Sequence, residues 1–143
     1  MMALAGVAFV GYGLVFLVLA LIGSGFELGV HMLDGLTRAE LAGTNPEAVY
    51  YITHLHVALA GFIIATGVAV AALAWYGVRT GQLWALVTAV TAAVVALALA
   101  LPMHYLGGFA HNWVTHLAPI YLATLVFVVG AVLAFRAMTP KAA

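Results

Sequence analysis

The residues in this chain that are best able to bind a metal are its six histidines. They are His31, His54, His56, His104, His111 and His116. Imidazole is the commonest metal ligand among side chains. The chain has no cysteine, which excludes thiolate metal sites, iron–sulfur clusters, thiol nucleophiles and disulfides. The available chemistry is therefore ligation of a metal or a haem iron through nitrogen.

Transmembrane helices must position these histidines. Of the 143 residues, 67% are hydrophobic and 6% are charged, whereas a soluble domain is about 45–50% apolar and about 25% charged. Crossing the hydrocarbon takes about 20 apolar residues, and uncharged stretches predict four spans, at residues 4–26, 57–78, 83–103 and 117–135. Short connections between antiparallel neighbours then predict an all-α, integral membrane, four-helix up-down bundle. One domain, residues 1–143, is sufficient.

The charged residues are few and balanced, with four Lys and Arg against four Asp and Glu. This balance argues against nucleic acid as a partner. Residues 32–50 form the only long polar run, in which residues 37–41 could form a short surface helix. Residues 79–82 predict a tight turn between the second and third spans.

The basic residues predict an orientation. Arg79, Arg136 and Lys141 lie on one side of the predicted bundle, and Arg38 lies alone on the other. Basic loops tend to stay in the cytoplasm, which places both termini there and predicts a plasma-membrane protein. Because the spans alternate in direction, all six histidines fall near the outer boundary of the bilayer. A single histidine there can be a wet interfacial residue, but six on one side favour a ligand site for at least one.

Two kinds of metal-ion site are compatible with the spacing. Glu27, His31 and Asp34 stand at i, i+4 and i+7, which on a continuing first helix would place them on one face. With a histidine from the second helix they could hold a non-haem metal, but a polar helix end turning toward water is the favoured explanation. The surplus of histidines would also suit a copper or zinc transport site.

Haem ligation is the third option, and the second span favours it at one residue. His54, Ala58, Gly61 and Ala65 share one helical face, so a flat macrocycle ligated by His54 would meet only small side chains. His56 is rotated by about 200° from His54, at about 100° per residue, and cannot serve the same site. The same small residues would also permit close helix packing in lipid.

Several motifs resemble those of styrene oxide isomerase and hydroxylaminobenzene mutase. The sequence Asn45-Pro46, followed by His54-Leu55-His56-Val57-Ala58-Leu59-Ala60-Gly61, is similar to the start of the second span in those proteins. Gly11-Tyr12-Gly13 resembles their opening Gly-His-Gly. Met103-His104-Tyr105-Leu106 resembles the end of their third span, and Leu117-Ala118-Pro119-Ile120-Tyr121-Leu122 resembles the fourth span of the isomerase. The matches are short, but they are ordered and spread over most of the chain.

The resemblance implies a cofactor and a reaction. Styrene oxide isomerases are four-span trimers that carry haem b at subunit interfaces, ligated by the histidine that matches His54. Their ferric iron acts as a Lewis acid on a small hydrophobic epoxide, and a 1,2-shift yields the aldehyde. By resemblance, Tyr105 is the hydrogen-bond donor to the oxygen. Self-association would be helped by Gly61 and Ala65 and by Gly107 and Gly108, which leave smooth helix faces.

Two departures from the family leave an alternative open. Ala60 replaces the asparagine of the family, and Tyr12 replaces its first-span histidine. In addition, His31, His104 or His116 could offer iron a sixth ligand, and a six-coordinate haem suits electron transfer. The alternative function is thus a small b-type cytochrome or an accessory subunit of a membrane redox complex, with bis-His haem. A purely structural bundle with interfacial histidines is the third possibility.

Overall fold

The computed structural model describes residues 1–106 and 111–139. Five helices are α1 (Met2–Ile22), α2 (Arg38–Thr44), α3 (Pro46–Ala72), α4 (Leu83–Leu106) and α5 (Trp113–Met138), and a two-stranded hairpin pairs β1 (Met32–Leu33) with β2 (Leu36–Thr37). Four long helical stretches are apolar enough to cross a membrane, namely α1, residues 46–80, α4 and α5. The predicted all-α membrane bundle is therefore confirmed. Lys141, Gly107 and Gly108 lie outside the described residues.

The bundle has two different ends. At the histidine end, which comprises residues 23–56, 104–106 and 111–116, α1 and α4 finish and α3 and α5 begin. At the opposite end, which we call the arginine end, Arg79 lies beside the turn between the second and third spans and stacks 4.5 Å from the Trp75 ring. Gly81 makes this turn with a positive φ of 80°, as the sequence predicts for residues 79–82.

The first span is shorter than the sequence predicts. It ends at Ile22 rather than at Phe26, because Gly23 takes the left-handed conformation (φ 69°) and its N–H donates to the Leu19 carbonyl. Glycine pays no steric penalty there. The backbone then folds into a tight turn in which the Phe26 N–H donates to Val30 O at 3.0 Å. The side chains of Phe26 and Val30 are both buried.

The helix of the second span, α3, begins at Pro46, eleven residues before the predicted start of that span at residue 57. Asn45 caps it, since its side-chain oxygen accepts from the Ala48 N–H at 3.0 Å, and Pro46 occupies the first turn. Proline is well suited to that position because its missing N–H would have no helical partner. The hydrocarbon accounts for about 20 residues of a helix, so α3 extends past it at the histidine end.

The surface helix predicted near residues 37–41 is also confirmed as α2. Thr37 and Glu40 form a capping box, in which each side chain bonds the backbone N–H of the other. The backbone N–H and then the hydroxyl of Thr37 hold the pKa of Glu40 below its ordinary value of 4.5. Because the pKa is lowered, the cap stabilises the folded state at pH values above 4.5, and this stabilisation is lost as the pH falls and the Glu40 carboxyl is protonated.

Glycines allow α1 and α3 to pack backbone against backbone. A Cβ added to Gly67 would lie 2.7 Å from Gly6 O and 2.8 Å from Val10 N, and one added to Gly6 would lie 2.7 Å from Ala71 N. Gly13 approaches Ile64 in the same way. Such contacts replace the hydrophobic driving force, which is missing between helices in lipid.

The other spans pack around this pair. The α5 helix meets α1 where Gly130 lies against Met2, and α4 meets the π-helical segment Leu73–Gly77 where Gly77 lies against Ala85. A cavity of about 320 Å³ remains between all four spans, and Thr66 and Thr124 are the only polar residues among those that line it. The four spans thus meet at small residues and leave an apolar cavity between them.

Replacing Gly67 by alanine should destabilise the bundle. The added methyl would collide with backbone atoms of α1, which cannot turn away, and overpacking of this kind costs about 1–3 kcal/mol. Gly11→Ala is the matched control, because Gly11 also lies in a span but its added Cβ meets nothing within 4 Å. Thermal or denaturant unfolding in detergent measures both variants. Equal stabilities for the two variants would contradict the assigned contact between α1 and α3.

Candidate functional site

The predicted haem-facing strip lies on the outer surface of α3. His54, Ala58, Gly61 and Ala65 are all exposed, and a Cβ added to Gly61 would meet nothing within 4 Å. Among the described residues, the strip therefore lies on the exterior of α3. Its smooth surface is free to contact lipid, a cofactor or a second copy of the chain.

The opposite face of α3 packs on α1. The His56 ring lies edge-on to Phe16, with ring centroids 5.3 Å apart, and Ala60 has no exposed surface. The structure thus separates His56 from His54, as the 200° rotation predicts. Ala60, which stands where the family has asparagine, lies on the His56 side of the helix.

Tyr105 belongs to a small aromatic group at the histidine end. Its hydroxyl is hydrogen-bonded to the hydroxyl of Tyr121, and its ring centroid lies 5.4 Å from that of Trp113. All three side chains are exposed. Tyr121 was not singled out as a site residue from the sequence, although it lies in the fourth-span motif. Only the packing of α4 on α5 brings the two phenols together.

Arg38 anchors the loop that follows α1. Its guanidinium donates to Gly25 O at 3.0 Å, to Ala20 O at 3.3 Å and to Thr53 Oγ1 at 2.5 Å. Ala20 O is among the last four carbonyls of α1, which lack helical partners, and a cation is favourable at a helix C-terminus. A single side chain thereby ties α1 and its loop to α3.

The proposed helical face of Glu27, His31 and Asp34 is wrong. The helix has already ended at Ile22, so these residues stand in the loop and hairpin rather than at successive turns. Asp34 takes a positive φ of 49° in the hairpin turn. His31 is exposed just before β1. The chain reverses direction between Glu27 and Val30 and again between Leu33 and Leu36, so no helical periodicity relates the three residues.

His116 is the buried histidine of the chain, with 2% of its surface exposed. Its Nδ1–H donates to Leu28 O at 2.6 Å, and its Nε2 lies 3.7 Å from Glu27 Oε1. The loop reaches this position because Gly29, with φ 79°, lies directly against His116. The carbonyl of Gly29 also accepts from the Asn112 N–H at 2.9 Å. The proximity of Glu27 to His116 has no signal in the sequence.

Two further histidines surround His116. The ring centroids of His104 and His116 are 4.8 Å apart, those of His111 and His116 are 5.2 Å apart, and those of His104 and His111 are 6.0 Å apart. The structure therefore brings together two of the sequence-predicted candidates, His104 and His116, and adds His111. His31 and His54 have no ring contact with them among the described residues.

Comparison with known proteins adds no relative. No protein-family model, no curated protein and no solved structure matches the chain. Two features of the described residues could carry chemistry, namely the exposed face of His54 and the cluster around His116.

Proposed function

We propose that the chain is a haem b-dependent membrane isomerase that acts on a small hydrophobic epoxide. The observation that supports this proposal most directly is the exposed strip of small residues beside His54. The sequence motifs that resemble styrene oxide isomerase point to the same histidine. The membrane-spanning bundle is the setting that such a protein requires.

The strip is compatible with haem on one side. His54 projects from the surface of the chain, and the exposed residues Ala58, Gly61 and Ala65 carry at most a methyl group. The open space beside Gly61 leaves room for a flat macrocycle next to the helix. His54 would supply the nitrogen ligand to iron, and the three small residues would line one face of the macrocycle.

Bound ferric haem would supply a Lewis acid for the epoxide oxygen. One C–O bond of the ring would break, a hydride would migrate from the oxygen-bearing carbon to the other ring carbon, and the oxygen would become that of a carbonyl group. Tyr105 would donate a hydrogen bond to that oxygen as negative charge grows on it. Tyr121 would support this donation, because a phenol that accepts one hydrogen bond becomes a better donor of another.

A homo-oligomer, which we propose to be a trimer, would complete the site. His54 lies on α3, whereas the contacts of Tyr105 are with Tyr121 and Trp113 on α5. Because both side chains face outward from one chain, His54 of one protomer and Tyr105 of the next can share a site. The outward strip also supports a cofactor at the interface between protomers.

A hydrophobic substrate can reach such a site from the bilayer. The apolar cavity between the spans, about 320 Å³ in volume, is large enough to hold a small aromatic molecule. Neither His54 nor Tyr105 is among its lining residues. The cavity is therefore a candidate site for binding substrate before it reacts, and the reaction site lies elsewhere.

The alternative of a bis-His b-type cytochrome has less support. Two axial imidazoles must stand on opposite faces of a macrocycle. The rings of His104 and His116 are instead in contact, at 4.8 Å between centroids, and leave no room for a macrocycle between them. A bis-His haem within one chain would thus need a pair of histidines other than these two.

Replacing His54 by alanine should remove most of the bound haem, because the iron would lose its protein ligand. Each histidine is changed to alanine in turn, and haem per protein is measured from the absorption spectrum after purification. His31→Ala is the matched control, since His31 is also exposed at the histidine end. We expect the wild-type protein to give the spectrum of a five-coordinate, high-spin ferric haem. Full haem in His54→Ala, with loss in another variant, would reject the assignment.

Replacing Tyr105 by phenylalanine should lower turnover of an aryl epoxide about a hundredfold, the value of one oxyanion donor. Aldehyde formation by the ferric protein is followed for the wild type and the variant. Tyr76→Phe is the control, because Tyr76 is an exposed tyrosine at the arginine end. The isomerase proposal fails if the wild type shows no turnover and has a low-spin spectrum. Unchanged turnover in Tyr105→Phe alone removes only the role of Tyr105.

We also propose that the chain lies in the plasma membrane with both termini in the cytoplasm and the histidine end outside. Thr44 and Thr80 provide a matched test, since both are exposed and both hydroxyls bond a preceding carbonyl. The chain has no cysteine of its own. An impermeant thiol reagent added to intact cells should label Thr44→Cys and leave Thr80→Cys unlabelled. The reverse pattern would invert the orientation.

A further inference from the structure

The second feature at the histidine end is a cluster of four side chains that the proposed isomerase does not use. It comprises His104, His111, His116 and Glu27, which we call the His116 cluster. Its members come from the loop after α1, the end of α4 and the start of α5. The three imidazole rings lie within 6.0 Å of one another between centroids. Three remote segments thus place nitrogen and oxygen ligands side by side.

Backbone contacts set the tautomers of two of these histidines. The Nδ1 atom of His116 lies 2.6 Å from Leu28 O, and that of His104 lies 2.9 Å from Ala100 O. A carbonyl can only accept, so each Nδ1 carries the proton. In the neutral rings, each Nε2 then carries a lone pair. Metal-binding histidines are usually held in this way, with the second ring nitrogen donating to a carbonyl or carboxylate.

The surroundings of His116 Nε2 would be stabilised by a positive charge. This atom is buried and has no hydrogen-bond partner among the described residues. The nearest charged atom is Glu27 Oε1 at 3.7 Å, so a lone pair faces a carboxylate. That arrangement is unfavourable unless a proton or a metal ion lies between them. Two ligands of tetrahedral zinc are about 3.3–3.5 Å apart, which is close to the observed separation.

We propose that the His116 cluster binds a divalent transition-metal ion of the Zn²⁺ type. The ligands are Nε2 of His116, the Glu27 carboxylate and Nε2 of His104, with His111 completing the set. Nitrogen and oxygen ligands without sulfur suit Zn²⁺, Ni²⁺ or Cu²⁺ rather than Mg²⁺ or Ca²⁺. Across residues 1–106 and 111–139, three such groups do not yet converge on one point. Binding therefore requires the His104 or His111 ring to turn toward His116.

The expected consequence of binding is a stiffer histidine end. The ion would join the loop after α1 directly to both α4 and α5. Without the ion, the loop bonds His116 and Asn112 through the Leu28 and Gly29 carbonyls, and α4 meets α5 here through histidine ring contacts. A ligand that binds only the folded state raises its stability. This proposal does not rest on haem binding, because His54 and its strip lie on the exterior of α3.

The test is titration of the purified, tag-free protein in detergent with ZnCl₂, with MgCl₂ as the control salt. We expect Zn²⁺ to bind at one site per chain by calorimetry and to raise the unfolding temperature, and Mg²⁺ to do neither. His116→Ala can misfold, since it strands the buried Leu28 carbonyl. The informative variants are therefore Glu27→Gln and His104→Ala, which alter partly exposed ligands.

Each of these two variants should lower the Zn²⁺ affinity at least tenfold. His31→Ala is the matched control and should bind as the wild type does. X-ray absorption at the zinc edge should show a ligand shell of nitrogen and oxygen that includes imidazole. The proposal is overturned if the wild type does not bind Zn²⁺. It is equally overturned if neither Glu27→Gln nor His104→Ala weakens binding. Loss of binding in His31→Ala instead would place the site elsewhere.

Discussion

The close approach of α1 and α3 is the constraint on which the rest of the structure depends. In lipid, an apolar side chain gains little by leaving the acyl chains, so helices must associate through dense van der Waals contact. Gly6, Gly13 and Gly67 provide it by removing the side chains that would hold the backbones apart. Because the glycines of α1 and α3 must meet, the rotation of α3 about its own axis is also set.

That rotation decides which histidines point where. His56 and Ala60 lie on the same side of α3 as Gly67 and are turned toward α1. His54 lies two residues before His56, about 200° away around the helix. His54 and its strip of small residues therefore face outward. A haem site on this strip is thus possible only at the surface of the chain. The same packing explains why Gly61, unlike Gly67, is available for contact with another molecule.

The loop after α1 is the second organising element, and it depends on a single charge. Arg38 is the only basic residue at the histidine end, and its hydrogen bonds go to two carbonyls and one hydroxyl rather than to a carboxylate. By holding this loop against α1 and α3, Arg38 helps to place Glu27 beside His116. The histidines are consequently divided. His54 is exposed on α3 and suits a large, flat ligand, whereas His104, His111 and His116 pack together and suit a small ion.

The proposed haem and metal-ion sites place different demands on the chain. The surface of α3 would need a second protomer to become a haem pocket, since one helix face cannot enclose a macrocycle. The four side chains of the His116 cluster come from one chain, because α4, α5 and the loop after α1 all contribute to it. This difference would allow oligomerisation and metal binding to vary independently. It also explains why the sequence motifs, which lie along single helices, indicate only the first site.

The sequence by itself determined the membrane setting, the four spans, the tight turn at residues 79–82 and the gathering of all six histidines at one end. These follow from local hydrophobicity, turn residues and the alternation of span direction, which are properties of short segments. The short surface helix and the separation of His54 from His56 follow in the same way, from capping residues and helical periodicity. Tertiary structure alone decided the end of α1 at Ile22, the failure of the Glu27, His31 and Asp34 face, and the pairing of Tyr105 with Tyr121. It also decided which glycines pack inside the bundle and which histidines meet around His116. The reason is physical: these features depend on the rotation of each helix and on contacts between segments far apart in sequence, and no local pattern encodes either.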